Sequence, residues 1–160
     1  MRGKNSQQGM ALVELLVAVA ITGLIVGGLG TAIYMIVTAT ERGNDEATVL
    51  HDIRNPSYWI SYDAQMAETT DLVDGAPGVD GVTLEWIDEY ADSHSSSYSL
   101  SGTELKRTYN GMTTTVARYV SSVEFSISGN LLTFRLEAAM GGRWDVSQET
   151  TGTACLRPKT

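Results

Sequence analysis

Gln7-Gln8-Gly9-Met10-Ala11-Leu12-Val13-Glu14-Leu15-Leu16 sets a lone carboxylate at the head of an apolar run. From Leu15 to Thr40 the chain carries no formal charge. As a helix rising about 1.5 Å per residue, that stretch spans roughly 39 Å, enough to cross a bilayer. It exceeds the apolar core of a cleaved secretory signal, about 7–15 residues, although Ala18-Val19-Ala20 imitates a small-residue cleavage site. Arg2 and Lys4 precede the run and no basic cluster follows Thr40. The positive-inside rule therefore predicts a cytoplasmic N-terminus and an exported remainder. Glu14 is foreign to an ordinary anchor: an acid costs up to about 2.5–3.5 kcal/mol at the bilayer centre, less near an edge, and calls for a partner.

Gly9-Met10-Ala11-Leu12-Val13-Glu14 resembles the prepilin signature of type IV pilins and of the pseudopilins of type II secretion. In that signature a short basic leader ends in Gly, followed by Phe or Met, Thr, Leu, Val or Ile, and Glu; Ala11 is the one departure. The resemblance implies that a membrane prepilin peptidase/methyltransferase cuts after Gly9 and that Met10 becomes an N-methylated terminus. It also implies that Glu14 pairs with the terminal amine of a neighbouring pilin-like subunit. An amine and a carboxylate brought together away from water attract strongly, while either alone is costly to bury. Gly23 and Gly27 have the small-xxx-small spacing that lets helix backbones approach closely, although membrane helices are rich in glycine generally. In a filament, Gly23, Gly27, Gly28 and Gly30 have two uses, close contact and local loosening, each costing about 1 kcal/mol of helix propensity.

The chain has 160 residues, 42% hydrophobic and 19% charged, an ordinary globular composition. Its 11 Lys and Arg face 19 Asp and Glu; with Arg2 and Lys4 in the leader, the part after Gly9 carries a formal charge of −10. A body of that sign does not seek phosphate backbones or anionic membrane surfaces, so no nucleic-acid partner is expected for the body as a whole, though Lys106-Arg107 forms a local basic pair. Cys155 is the only cysteine. Intrachain disulfides and CxxC chemistry are excluded.

Four segments are expected: a basic leader at 1–9, a hydrophobic transmembrane and assembly helix at 10–40, an amphipathic continuation at 41–54, and an exported globular domain at 55–160. Ala47, Val49, Leu50 and Ile53 recur at helical spacing in the third segment. Asn55-Pro56 offers an N-cap followed by Pro at the first helical position, which predicts a boundary and a second helix to Glu68 with Trp59, Tyr62, Met66 and Ala67 inward. Residues 71–81 read as a loop from their Gly and Pro content. Period-two alternation begins at Val82, Leu84 and Trp86, and further strands are expected at 98–101, 104–109, 112–119, 120–128, 131–139 and 149–157. Asn110-Gly111 is a two-residue hairpin signal. The fold class is therefore α+β: a long N-terminal helix packed on an antiparallel meander, the layout pilin-like subunits share.

No HExxH, GxSxG triad set or phosphate loop is present, so no enzyme is expected. His51 falls on the polar side of its helix and His94 in the Ser-rich stretch 92–97. Asp71, Asp74 and Asp80, and separately Asp88, Glu89 and Asp92, have oxygen ligands for Ca²⁺ but not the alternate spacing of an EF-hand, so no cofactor or metal is expected. The resemblance implies a non-enzymatic filament subunit of a pilus, type II secretion or competence machine, anchored in the inner membrane before assembly. The missing disulfide pair and the broad sheet look more like a minor subunit. Two alternatives stand beside it: a filament-tip binding or adhesion module motivated by Trp86 and Trp144, and an unrelated single-span protein.

Overall fold

A computed structural model describes residues 5–158, with side chains from Leu12 onward. Arg2 and Lys4 of the leader lie outside the described residues, as does the side chain of Met10. One helix, α1 (Asn5–Met66, 62 residues), is followed by eight strands: β1 (Thr69–Thr70), β2 (Gly81–Ile87), β3 (Ser93–Ser101), β4 (Glu104–Tyr109), β5 (Met112–Ala117), β6 (Val120–Ser128), β7 (Leu131–Met140) and β8 (Val146–Cys155). The chain divides into two compact units, Met1–Gly43 and Asn44–Thr160.

In the first unit α1 is apolar and exposed all round from Leu12 to Val37. An 18-residue window there has a mean hydropathy of 2.4 and none of it is buried. The hydroxyls of Thr22, Thr31 and Thr40 donate to the carbonyls of Ala18, Gly27 and Ile36. Those bonds close three hydroxyls of the stretch on its own helix, as a lipid surround favours.

The second unit supplies the α+β layout that the resemblance implies. Its strands form two antiparallel sheets, β1-β2-β3-β4-β5 and β6-β7-β8, rather than one meander. Asn110 (φ 46°) and Gly111 (φ 83°) form the turn between β4 and β5, both in the left-handed region that a two-residue primed turn demands. Between Phe134 and Gly152, paired across β7 and β8, a Cβ on the glycine would sit 2.1 Å from the phenyl Cζ. Only glycine leaves that ring its place in the core.

The expected boundary at Asn55-Pro56 is absent, since α1 runs through Pro56 to Met66. Proline inside a helix removes one backbone bond and typically costs about 3 kcal/mol. Here Pro56 is fully buried, and its neighbour Asn55 donates through Nδ2 to the Val116 carbonyl at 2.7 Å. Ser57 Oγ also donates to the Ile53 carbonyl at 2.6 Å. The burial of Pro56 and the tertiary bond of Asn55, with the local bond of Ser57, override its breaking tendency.

The buried stripe of this helix reads Val49, Asp52, Ile53, Pro56, Ile60, Asp63, Ala64 and Ala67, spaced by three and four. It lies about one position round from the expected face. Val49, Ile53 and Ala67 are inside and Trp59 is half-buried, but Ala47, Leu50, Tyr62 and Met66 are exposed. Val49 and Ile53 pack with Ala138 and Val146, whereas Ile60, Ala64 and Ala67 join the larger core of Leu84, Tyr98, Phe125 and Phe134.

Candidate functional site

The residues singled out for assembly all lie on the apolar half of α1. Glu14 is exposed, among Leu12, Val13, Leu15 and Leu16, each more than 60% accessible. Such a surface is tolerable only when lipid or other helices surround it. A Cβ built on Gly23 or Gly27 meets nothing within 4 Å, so that face of the helix lies open to a close neighbour.

In the second unit two carboxylates stand on the buried stripe of α1 instead of its polar side. Asp52 accepts the backbone N–H groups of Arg118 and Tyr119 through Oδ2, at 2.9 Å each. These are the two residues that link β5 to β6, so Asp52 holds the junction of the sheets on the helix. Asp63, with no accessible surface, accepts Ser96 Oγ and Tyr98 Oη at 2.5 Å and a two-pronged contact from Arg107 at 2.7 Å. The guanidinium lies 4.7 Å from the centre of the Trp59 ring and 4.9 Å from that of Tyr109. Burial, followed by the Asp63 charge, pushes the Tyr98 phenol well above its ordinary range, so it stays a neutral donor. The Asp63 hydrogen bonds push Arg107 further up, fixing its charge. A buried pair of this kind is stable when further hydrogen bonds support it, as the Ser96 and Tyr98 hydroxyls do here.

The basic pair expected at Lys106-Arg107 is therefore no patch, since Arg107 is spent on Asp63 and Lys106 lies 3.8 Å from Glu104. His94 is also displaced from its expected loop. It belongs to β3, opposite Trp86, and stacks on Trp86 and Tyr109 with ring centres 5.7 and 6.2 Å away. Its Nε2 faces Asp88 Oδ2 at 3.1 Å, and its Nδ1 faces Asn110 Nδ2 at 2.9 Å. Trp86 is thus a core residue, and Trp144 packs half-buried beside Val49 and Val146. Three of the acids considered as calcium ligands accept backbone groups: Asp71 the Thr83 N–H, Asp74 the Gly129 N–H, and Asp88, closing a turn, the Tyr90 and Asp92 N–H. Among the described residues no three His, Cys, Asp or Glu gather as a metal site.

Asp88 is held below its ordinary carboxylate value of 3.8, chiefly by the His94 hydrogen bond and then by the Asp92 amide. A group lowered in the folded state stabilises it fully above the unfolded value and loses that contribution as pH falls through the folded one. Acid titration is therefore expected to weaken the wild type below pH 3.8 more steeply than Asp88→Asn, as followed by near-ultraviolet circular dichroism. Superimposable acid limbs would remove Asp88 from that role.

Asp52 and Asp63 escaped sequence reasoning because acids are read as solvated. Their one signal is position: both fall in phase with Val49, Ile53, Ile60 and Ala64.

Residues 4–30 match a family model, the prokaryotic N-terminal methylation motif. The match takes in Gly9, Met10, Glu14, Gly23 and Gly27 and stops well short of the sheets. No curated protein and no solved structure matches the chain.

Proposed function

We propose that this prepilin-type chain, carrying the N-terminal methylation motif at residues 4–30, is a minor structural subunit of a pilus, type II secretion or DNA-uptake filament. The supporting observation is a single-pass apolar helix with its motif at the head and an all-exposed surface, joined in sequence to a separately packed α+β unit. In this reading the peptidase severs the leader after Gly9 and methylates Met10. The helix first anchors the chain in the inner membrane, with the body exported, and then packs against the helices of neighbouring subunits. Glu14 meets the amine freed on the next subunit, a partner created only by cleavage, which makes assembly conditional on processing. Gly23 and Gly27 let a second helix approach. The body gives each subunit its surface and contributes no catalysis.

Co-expression with a prepilin peptidase is expected to shorten the chain by its leader, with Met10 at the new N-terminus by mass spectrometry. Gly9→Ala is expected to keep full length. A wild-type chain whose mass is unchanged by the peptidase would sink the proposal.

A further inference from the structure

Beside the end of α1 lies a cleft of about 570 Å³, within the size range of ligand sites. Met66, Trp86 and Ile87 supply its apolar lining. Its charged lining is Glu68, Asp88 and Glu89 against the single guanidinium of Arg157, which lies 3.9 Å from Glu68. Asp88 is already committed to His94 and to its turn amides, and Glu68 to Arg157, leaving the exposed Glu89 as the acid that a visitor would meet.

The cleft also contains the end of a sheet edge. The Glu85 and Thr83 carbonyls accept Glu68 and Asp71 N–H on the β1 side of β2, whereas Asp88 N–H donates the other way, to Asp92. Alternation along an antiparallel strand therefore directs the N–H and C=O of Ile87 to the β1 side. There β1 has ended, because its register with β2 stops at Glu85, and among the described residues no strand lies opposite Ile87. An exposed strand end with a free main-chain donor and acceptor is a template for an added strand.

We infer that this cleft binds an extended, lysine- or arginine-bearing peptide segment of another protein, which prolongs β1 by pairing with Ile87 and places its cation beside Glu89. The main-chain bonds supply alignment, and the net negative lining with Glu89 uncommitted selects the charge of the occupant. Met66 and Ile87, the exposed apolar residues of the lining, cover the alkyl stem of the cation. A second copy of the chain is the wrong occupant, since its body brings a formal charge of −10 to an acidic rim. The inference concerns the second unit alone and does not depend on filament assembly.

The test uses the full chain in nonionic detergent and an acetylated, amidated hexapeptide of alternating threonine and lysine. Heteronuclear NMR is expected to show a saturable shift of the Ile87 amide and at least tenfold slower hydrogen exchange there. Glu89→Gln, at an exposed position, is expected to weaken binding about three- to fivefold, the worth of one partly exposed ion pair. A peptide with glutamate for lysine, and one N-methylated along its backbone, are expected not to bind. Absence of a saturable shift at Ile87, equal binding of the glutamate peptide, or equal binding of the N-methylated peptide would each overturn the inference, the last by showing a cation site without strand pairing.

Discussion

Asp63→Ala is expected to destabilise the second unit by about 3–5 kcal/mol, the usual cost of leaving half of a buried ion pair without its partner. The substitution strands three donors at once, the Arg107 guanidinium, the Tyr98 hydroxyl and the Ser96 hydroxyl. For a unit of this size the loss corresponds to a fall in Tm of about 10–20 °C. Asp63→Asn keeps the volume but not the charge, and is expected to recover only part of the loss. The double variant Asp63→Leu with Arg107→Met removes both charges, and its cost is expected to fall well short of the sum of the single ones. Thermal and urea unfolding of the wild type, Asp63→Leu, Arg107→Met and the double variant measure this. Additive losses would show that the two residues act separately and that the network is not the fastening of helix to sheet.

The second large effect belongs to the proposed assembly. Glu14→Leu suits a lipid surround at least as well as glutamate, so insertion and cleavage after Gly9 are expected to persist. Entry into filaments is expected to fall about a hundredfold or more, since an amine desolvated without its carboxylate forfeits about 3–5 kcal/mol. Immunodetection of the variant in sheared filaments, against its amount in the membrane fraction, provides the ratio. Normal incorporation would show that the carboxylate is not the group that sets register between subunits.

Legibility in the sequence followed the strength of each local signal. Asn110-Gly111 admits one short-turn geometry, and β4 appears at its expected bounds, 104–109. The apolar helix was plain because no charge interrupts Leu15 to Thr40. Pro56 misled because its helix-breaking tendency is a local property, while the contacts that carry α1 past it, such as Asn55 to Val116, come from 61 residues away. The Ser-rich start of β3 has little strand propensity of its own, yet Ser96 is buried against Asp63 and the segment is framed by β2 and β4. The division into two sheets was illegible for the same reason: it depends on where Asp52 gathers the Arg118 and Tyr119 amides, and nothing at 118–119 announces that. Of the candidate assembly residues, Glu14 is read from the prepilin-like motif and Gly23 and Gly27 from their spacing. The helix-to-sheet network was missed entirely.

Strand order has a kinetic consequence. Every ladder in both sheets joins strands adjacent in the chain, from β1 with β2 through β7 with β8. Closing such neighbours costs little loop entropy, so each sheet can zip up hairpin by hairpin. Asp63 meets Arg107 across 44 residues and Asp52 meets Arg118 across 66, which makes the docking of α1 the step with the longest loops to close. Contacts made after the rate-limiting barrier brake unfolding instead of hastening folding. The two buried aspartates then act as a latch on the finished body, setting how long it stays closed under strain more than how soon it forms.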